Sequence, residues 1–150
     1  MNMQKILLLI IVLFTSFNIS FAQEKKVKAA LVPESVLNGY KEKYKKVEVK
    51  NWYQDGDMYA AVFDKGESTF KASFNSDGKW IQTSTKIKEA QVSTTVKKAI
   101  KNTEWSEWKI NECYKVETPE YKKLFELHLK KGKETKILSF DPTGKAVDIK

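Results

Sequence analysis

The feature of this 150-residue sequence that most constrains its fold is an internal repeat. One series of apolar residues recurs 56 positions later, where Val36, Tyr40, Tyr44, Val49 and Trp52 match Val92, Val96, Ile100, Trp105 and Trp108. A second series recurs 66 positions later, where Tyr59–Phe63, Gly66, Phe74, Gly78, Lys79 and Ile81 match Phe125–Leu129, Gly132, Phe140, Gly144, Lys145 and Val147. Matches at constant spacing predict two copies of one structural unit, with ten extra residues between Trp108 and Phe125.

In each copy the hydrophobic pattern predicts one helix followed by four antiparallel strands. The apolar stripes of the two helices are Val36, Leu37, Tyr40 and Tyr44, and Val92, Val96, Ala99 and Ile100. Strands are predicted at about 47–53, 58–64, 67–74 and 79–87, and the second copy repeats them and ends with a short strand at 145–149. This pattern predicts an α+β fold, a tandem repeat of helix plus four-stranded antiparallel sheet with the helices packed on one sheet face.

The N-terminal residues predict a secretory signal peptide. Lys5 precedes an apolar run from Ile6 to Phe14, and Ser20 and Ala22 are small residues close to a cleavage site after Ala22. The run is shorter than the roughly 20 residues that a membrane span needs. We therefore expect a signal peptide at 1–22, repeats at 23–88 and 89–150 that form one domain, and export to the periplasm or beyond without stable membrane insertion.

Period-two alternation assigns the strand residues to two faces. The positions that are apolar in both copies should lie under the helices: Tyr59, Ala61, Phe63, Ala72 and Phe74, with Phe125, Leu127, Leu129, Leu138 and Phe140. The opposite positions are mixed in polarity, as in a sheet face open to solvent or a partner. Parity places Trp80 on that open face and is compatible with Trp52 and Trp108 there. A β-bulge would reverse the assignment, and the alternative is that the tryptophans fill the seam between the two units.

The motif Trp52…Tyr59-x-Ala61-x-Phe63…Phe74-x-x-x-Gly78-x-Trp80-x-x-Thr83, behind a signal peptide and a Pro-led helix, resembles the PepSY-like, β-lactamase-inhibitor-like proteins of bacterial envelopes. The resemblance covers nearly the whole mature chain. It implies tandem helix-plus-four-strand units with one side of the sheet free. Better-known relatives use this surface to bind and inhibit an enzyme, or act as peptidase-inhibiting propeptide modules. The second copy departs from the motif, because Ala146 stands where a tryptophan is expected.

Composition excludes several classes of function. The chain carries 27 basic residues, all of them lysine, and a formal net charge of +8. The absence of arginine argues against nucleic-acid recognition. The single His128 and the single Cys113 cannot build a histidine or cysteine metal site. We expect His128 to be a sheet-surface residue and Cys113 a partly buried thiol, with pairing to another molecule as the alternative. No cofactor is expected.

The aromatic residues are the remaining functional candidates. Four tryptophans exceed what a small core needs, and tryptophan and tyrosine anchor protein interfaces. We therefore predict a non-catalytic module that binds an envelope protein or peptide on the open sheet face, with contacts from Trp52, Met58, Trp80, Trp108 and Tyr114. Inhibition of an envelope enzyme is the version that the resemblance implies. The alternative is a periplasmic carrier of a small ligand or metal, with a pocket between the two units.

Overall fold

A computed structural model describes residues 24–148, so the predicted signal peptide and its cleavage site lie outside the described residues. The described chain contains two α-helices and an eight-stranded sheet in which every neighbouring pair is antiparallel. The spatial order of the strands follows the sequence. The elements are β1 (Lys25–Val27), α1 (Glu34–Lys43), β2 (Asn51–Asp55), β3 (Met58–Lys65), β4 (Ser68–Asn75), β5 (Trp80–Ile87), α2 (Thr94–Lys101), β6 (Lys109–Glu117), β7 (Leu124–Lys131) and β8 (Glu134–Phe140).

Local sequence explains where the helices begin and end. α1 starts directly after Pro33, and it carries Glu34 in its first turn and Lys43 in its last, which suits the helix dipole. α2 is capped by Ser93, whose hydroxyl accepts a hydrogen bond of 3.3 Å from the Val96 N–H. A 3₁₀ turn precedes each helix, at Ala29–Leu31 and Glu89–Gln91.

Two hydrophobic clusters form the core, one in each half of the chain. In the first, Val36 and Tyr40 of α1 pack with strand residues Tyr59, Ala61, Phe63, Ala72 and Phe74. In the second, Val96 and Ile100 of α2 pack with Cys113, Phe125, Leu127, Leu129 and Phe140, and Leu138 is partly buried against them. The predicted core positions are therefore confirmed. Burial of each large side chain contributes about 1.5–3 kcal/mol.

The register of the two helices differs from the sequence prediction. Val32, Val36 and Tyr40 occupy the same positions after their 3₁₀ turn as Val92, Val96 and Ile100, a spacing of 60 residues. The predicted spacing of 56 was wrong by about one helical turn. Residues four apart lie on one helix face, so the apolar stripe matches almost equally well at either spacing.

The later strands keep the predicted spacing of 66. Phe74 pairs with Trp80, and Phe140 makes an isolated bridge with Ala146 at the corresponding place. The extra residues of the second half lie in the β6–β7 hairpin, where Cys113 pairs with Leu127, whereas Trp52 pairs with the nearer Ala61. Most of this inserted length lies in the loop between Glu117 and Leu124, which is longer than the turn between Asp55 and Met58.

Three strand predictions need correction. β1 was not predicted, because two of its three residues are lysines and show no alternation. The first predicted strand, at 47–53, begins only at Asn51. The strand expected at 145–149 is absent up to residue 148, where the bridge at Ala146 stands alone. Trp80 packs on the first cluster, whereas its counterpart Ala146 is exposed and adds no such packing.

β6 joins the two halves into one sheet. It pairs with β7 along its length and with β5 through the residues from Cys113 to Glu117. The ladder is thus continuous from β1 to β8.

A close backbone contact fixes α1 against the β4–β5 turn. A Cβ atom added to Gly39 would lie 2.1 Å from the carbonyl oxygen of Gly78. Gly78 has φ +81°, a left-handed conformation that favours glycine. In the second half, Ala99 occupies the position of Gly39, and its Cβ would lie 3.4 Å from a Cβ added to Gly144. The helix–turn contact is therefore tighter in the first half.

Candidate functional site

The strand registers define the sheet face opposite the core clusters, which we call the open face. Its side chains alternate with the core residues along β2 to β8. They include Asn51, Tyr53, Met58, Ala60, Val62, Lys71, Ser73, Gln82, Ser84, Lys86, Glu112, Tyr114, Val116, Leu124, Glu126, His128, Ile137 and Ser139, and toward the strand ends Asp55, Asp64, Thr69, Asn75, Lys130 and Thr135.

Two of the five predicted contact residues lie on the open face. Met58 is half-buried at the start of β3, and Tyr114 is half-buried near the middle of β6. Two strands, β4 and β5, separate β3 from β6, so these two side chains belong to different regions of the face.

The placement of Trp52 on the open face is wrong. Trp52 pairs with Ala61, is only 5% exposed, and has its ring centroid 5.7 Å from that of Tyr40. Alternation counted from Val49, if Val49 faced the core, would put Trp52 on the open face, but β2 begins at Asn51 and Val49 lies outside the strand.

Trp80 also lies with the core. A bulge lets Ser73 pair with Gln82 and Phe74 with Trp80, which turns the indole to the face of Phe74. The indole Nε1 donates a 2.9 Å hydrogen bond to Thr83 Oγ1, and Lys43 Nζ lies 3.3 Å from the ring centroid.

Trp108 precedes β6, so strand alternation does not govern it. Its ring stands edge-on to that of Trp105 at 4.8 Å, and both pack on the second cluster. Each tryptophan thus belongs to the cluster of its own half, not to a seam between the halves.

A polar cluster that the sequence did not predict occupies the open face across β5, β6 and β7. Glu112 lies at its centre and accepts hydrogen bonds from Lys86 Nζ at 2.6 Å and from the Tyr114 hydroxyl at 3.0 Å. His128 Nε2 lies 2.7 Å from Glu126 Oε1, and its Nδ1 lies 3.6 Å from Glu112 Oε2. The ring centroids of Tyr114 and His128 are 5.0 Å apart. The expectation of a sheet-surface histidine is confirmed.

The environment of this cluster changes its titration. The hydrogen bond from Lys86 holds the pKa of Glu112 below its usual range. Burial, together with the hydrogen bond to Glu112, raises the pKa of Tyr114 to about 12. Near neutral pH the cluster therefore presents a neutral phenol fixed by an ionised carboxylate. The cluster forms because β6 pairs with both β5 and β7. That pairing cannot be predicted from the spacing of residues in the sequence.

Apolar side chains surround this cluster. Ile137, opposite His128 on β8, is 43% exposed. Val116 and Leu124, which form a pair beside Tyr114, are buried although they lie on the open face. Tyr114, His128 and Ile137 therefore form a small accessible surface over a packed base, and we call these three residues the β6–β8 patch.

Other candidate chemistry is limited within residues 24–148. No three histidine, cysteine or carboxylate side chains there are grouped as metal ligands would be. Cys113 is 3% exposed in the second cluster, and burial raises the pKa of its thiol, as expected for an unreactive cysteine. A groove of about 700 Å³ lies beside edge strand β1, and one of about 450 Å³ lies at the Lys109–Lys130 end of the β6–β7 hairpin. Neither has the position between the units that the carrier alternative requires.

Comparison with known proteins assigns the chain to a family. The model of the family described as beta-lactamase-inhibitor-like, PepSY-like matches residues 57–147. The chain belongs to this family. The predicted resemblance is therefore confirmed, and the family is named for inhibitors, a non-catalytic kind of protein.

Solved structures share the fold at low sequence identity. A DUF2874 family protein from Bacteroides ovatus is 24% identical, with a TM-score of 0.63 over 77% of this chain and 84% of that chain. A BLIP-like protein from Bacteroides fragilis is 20% identical, with a TM-score of 0.62 over 79% of this chain and 85% of that chain. A protein from Bacteroides eggerthii, provisionally described as periplasmic, is 22% identical, with a TM-score of 0.63 over 78% and 86%. Among curated proteins, none matches the sequence significantly.

Neither helix in the described part of the chain combines the length and apolar content that a membrane crossing requires.

Proposed function

We propose that this protein is a non-catalytic binding module of the periplasm that engages an envelope protein or peptide through the open face. The observation that carries the proposal is the β6–β8 patch. Tyr114 offers an aromatic surface held by its hydrogen bond to Glu112, and Ile137 adds an exposed apolar side chain nearby. Half-buried aromatic residues with fixed rotamers are typical anchors of protein interfaces.

The polar neighbours favour a specific partner rather than non-specific adhesion. Lys86 hydrogen-bonds to Glu112 and His128 to Glu126, so a partner does not have to order these side chains on binding. Membership of an inhibitor-like family supports one version of the proposal, in which the partner is an envelope enzyme.

The original contact set changes accordingly. Met58 and Tyr114 stay in it, and His128 and Ile137 join Tyr114. Trp52, Trp80 and Trp108 act instead by stabilising the strands beneath the surface. We propose export by a signal peptide cleaved after Ala22, in keeping with the periplasmic description of one structural neighbour.

We also propose that residues 23–88 and 89–150 are two copies of a helix-plus-sheet unit, with both helices on one sheet face. Burial along residues 31–40 and 91–100 is identical position by position. The turns after β4 and β8 also share their hydrogen bonds: Asn75 N–H donates to Lys79 O at 3.0 Å and Asp141 N–H to Lys145 O at 2.9 Å.

Site-specific photo-crosslinking in the native envelope tests the binding face. A photoreactive phenylalanine analogue at Tyr114 should crosslink one discrete envelope protein. The same analogue at Leu31, which is 69% exposed outside the open face, is the matched control and should not. With the purified partner, Tyr114→Ala should weaken binding at least tenfold while Leu31→Ala leaves it unchanged. Equal crosslinking from both positions, or none from Tyr114, contradicts the proposal.

A further inference from the structure

β8 is the last strand of the sheet, and most of its outer edge has no neighbour in the described chain. Its counterpart in the first half, β4, pairs on its outer side with the whole of β5 from Phe70 to Phe74. Beside β8, the residues after the turn make only an isolated bridge at Phe140. Val147 N–H donates to Ser139 O at 2.9 Å, so up to residue 148 this segment bonds only to the Ser139 end of the edge.

That hydrogen bond also fixes the direction of the remaining backbone groups. The Ser139 carbonyl points away from β7, and in an antiparallel strand alternate residues point their N–H and C=O groups to the same side. Thr135 and Ile137 therefore direct both groups outward, whereas Lys136 and Leu138 bond to β7. Within residues 24–148 no backbone or side-chain group bonds to the outward groups of Thr135 and Ile137.

The two edges of the sheet differ in how they are protected. Natural edge strands are commonly blocked by charged residues, lysine above all. Edge strand β1 follows this rule, because two of its three residues are Lys25 and Lys26. In β8 the lysine within the strand, Lys136, has its Nζ 5.3 Å from the Trp105 ring on the core side. The open-face residue Ile137 is apolar and exposed.

Side chains around β8 indicate what an added strand would contain. Its residues would alternate between the open face, beside Ile137, and the other face, beside Lys136. On the other face Lys131 and Lys136 outnumber Glu134, so that face carries a net positive charge, and Lys133 in the preceding turn adds to it. An apolar residue fits the first environment and a carboxylate the second.

We propose that the outer edge of β8 receives an extended segment of the partner as a ninth strand, and that this segment alternates apolar and acidic residues. This inference rests on the proposed function and deepens it. The partner contributes main-chain hydrogen bonds to Thr135 and Ile137 and places an apolar side chain next to the β6–β8 patch. Affinity then comes from the backbone, and specificity comes from the alternation.

A synthetic peptide of about eight alternating aspartate and valine residues, a normal strand length, tests the edge directly. Hydrogen exchange followed by NMR should show that the peptide slows exchange at the amides of Thr135 and Ile137 at least tenfold. The amides of Lys136 and Leu138, already bonded to β7, should change little. A peptide with lysine in place of aspartate should bind at least tenfold more weakly. Equal protection of all four amides, or no binding at millimolar concentration, overturns the proposal.

Two variants separate strand addition from general adhesion. A peptide whose pairing-edge amides are N-methylated keeps every side chain and should lose binding. Ile137→Pro removes the outward N–H and should do the same, while Ile137→Val retains binding. Undiminished binding of the methylated peptide refutes the proposal whether or not the proline variant folds.

The experiments distinguish failure of strand addition at β8 from failure of binding on the open face. If Tyr114 crosslinks a partner but Thr135 and Ile137 stay unprotected in the complex, the proposed function stands and strand addition fails. Protection of these amides that increases with protein concentration, without peptide, would assign the edge to a second copy of the chain and likewise overturn the inference.

Discussion

Replacing Gly39 with alanine tests the close contact between α1 and the β4–β5 turn. Two effects of opposite sign compete. Alanine is favoured over glycine inside a helix by about 1 kcal/mol. Overpacking costs about 1–3 kcal/mol, and the upper end applies here because the new Cβ would lie 2.1 Å from a backbone oxygen, not from a mobile side chain. We therefore expect Gly39→Ala to lower the free energy of unfolding by about 2 kcal/mol.

The turn has little freedom to move aside. Gly78 has φ +81°, and its N–H donates to Asn75 O at 2.9 Å. The Ser35 hydroxyl also donates to Ser76 O at 2.7 Å, which ties the start of α1 to the same turn. Relief of the clash would have to break one of these bonds or tilt the helix off the first cluster.

Equilibrium urea unfolding measures the effect. A loss of about 2 kcal/mol should lower the urea midpoint by about 1 M for a protein of this size. Asn38→Ala is the matched control, because Asn38 is exposed in the same helix and the change should add about 0.5 kcal/mol through propensity alone. If Gly39→Ala also stabilises the protein, propensity dominates and our account of the contact is wrong.

Three further predictions concern the core, the thiol and the open face. Leu127 is fully buried, so Leu127→Ala should lower the free energy of unfolding by about 3 kcal/mol, whereas Ile137→Ala, at an exposed position, should change it by less than about 0.5 kcal/mol in the same urea assay. Cys113 should react with iodoacetamide far more slowly in the native protein than in urea, because burial raises its pKa; equal rates would refute its burial. Tyr114 has a folded pKa of about 12 against an ordinary 10.0, so stability should be full below pH 10 and fall between pH 10 and 12, where the unfolded chain ionises first. Tyr114→Phe should reduce that fall in a pH series of urea midpoints, and an unchanged fall would assign it to other groups.

The alternation of apolar residues made the core predictable. Tyr59, Ala61 and Phe63 lie two apart and match Phe125, Leu127 and Leu129, and a period of two admits one buried face. Helix register was not predictable in the same way. A shift of four residues leaves the stripe of Val92, Val96 and Ile100 on one face, so the pattern fits nearly as well one turn away.

The candidate site was harder to predict than the core. Trp80 changed face because a bulge interrupts the alternation beside Ser73, and nothing in the local sequence marks that bulge. The cluster at Glu112 depends on the pairing of Lys86 with Tyr114 and of Glu112 with His128 across strands. Such contacts join distant parts of the chain, so they follow from topology rather than from spacing. Its residue type alone made Tyr114 a candidate for contact. The residues that surround it could not be predicted from the sequence.

The ladder between β5 and β6 has a consequence for how the molecule can be divided. Those two strands lie in the interior of the sheet only because each half shields the other, so a cut between residues 88 and 93 would leave two fragments with matching unpaired strands. Such fragments should associate with each other in solution through these strands, or pair with other exposed strand edges. Truncated forms of this chain are therefore expected to aggregate unless the missing part is supplied in trans.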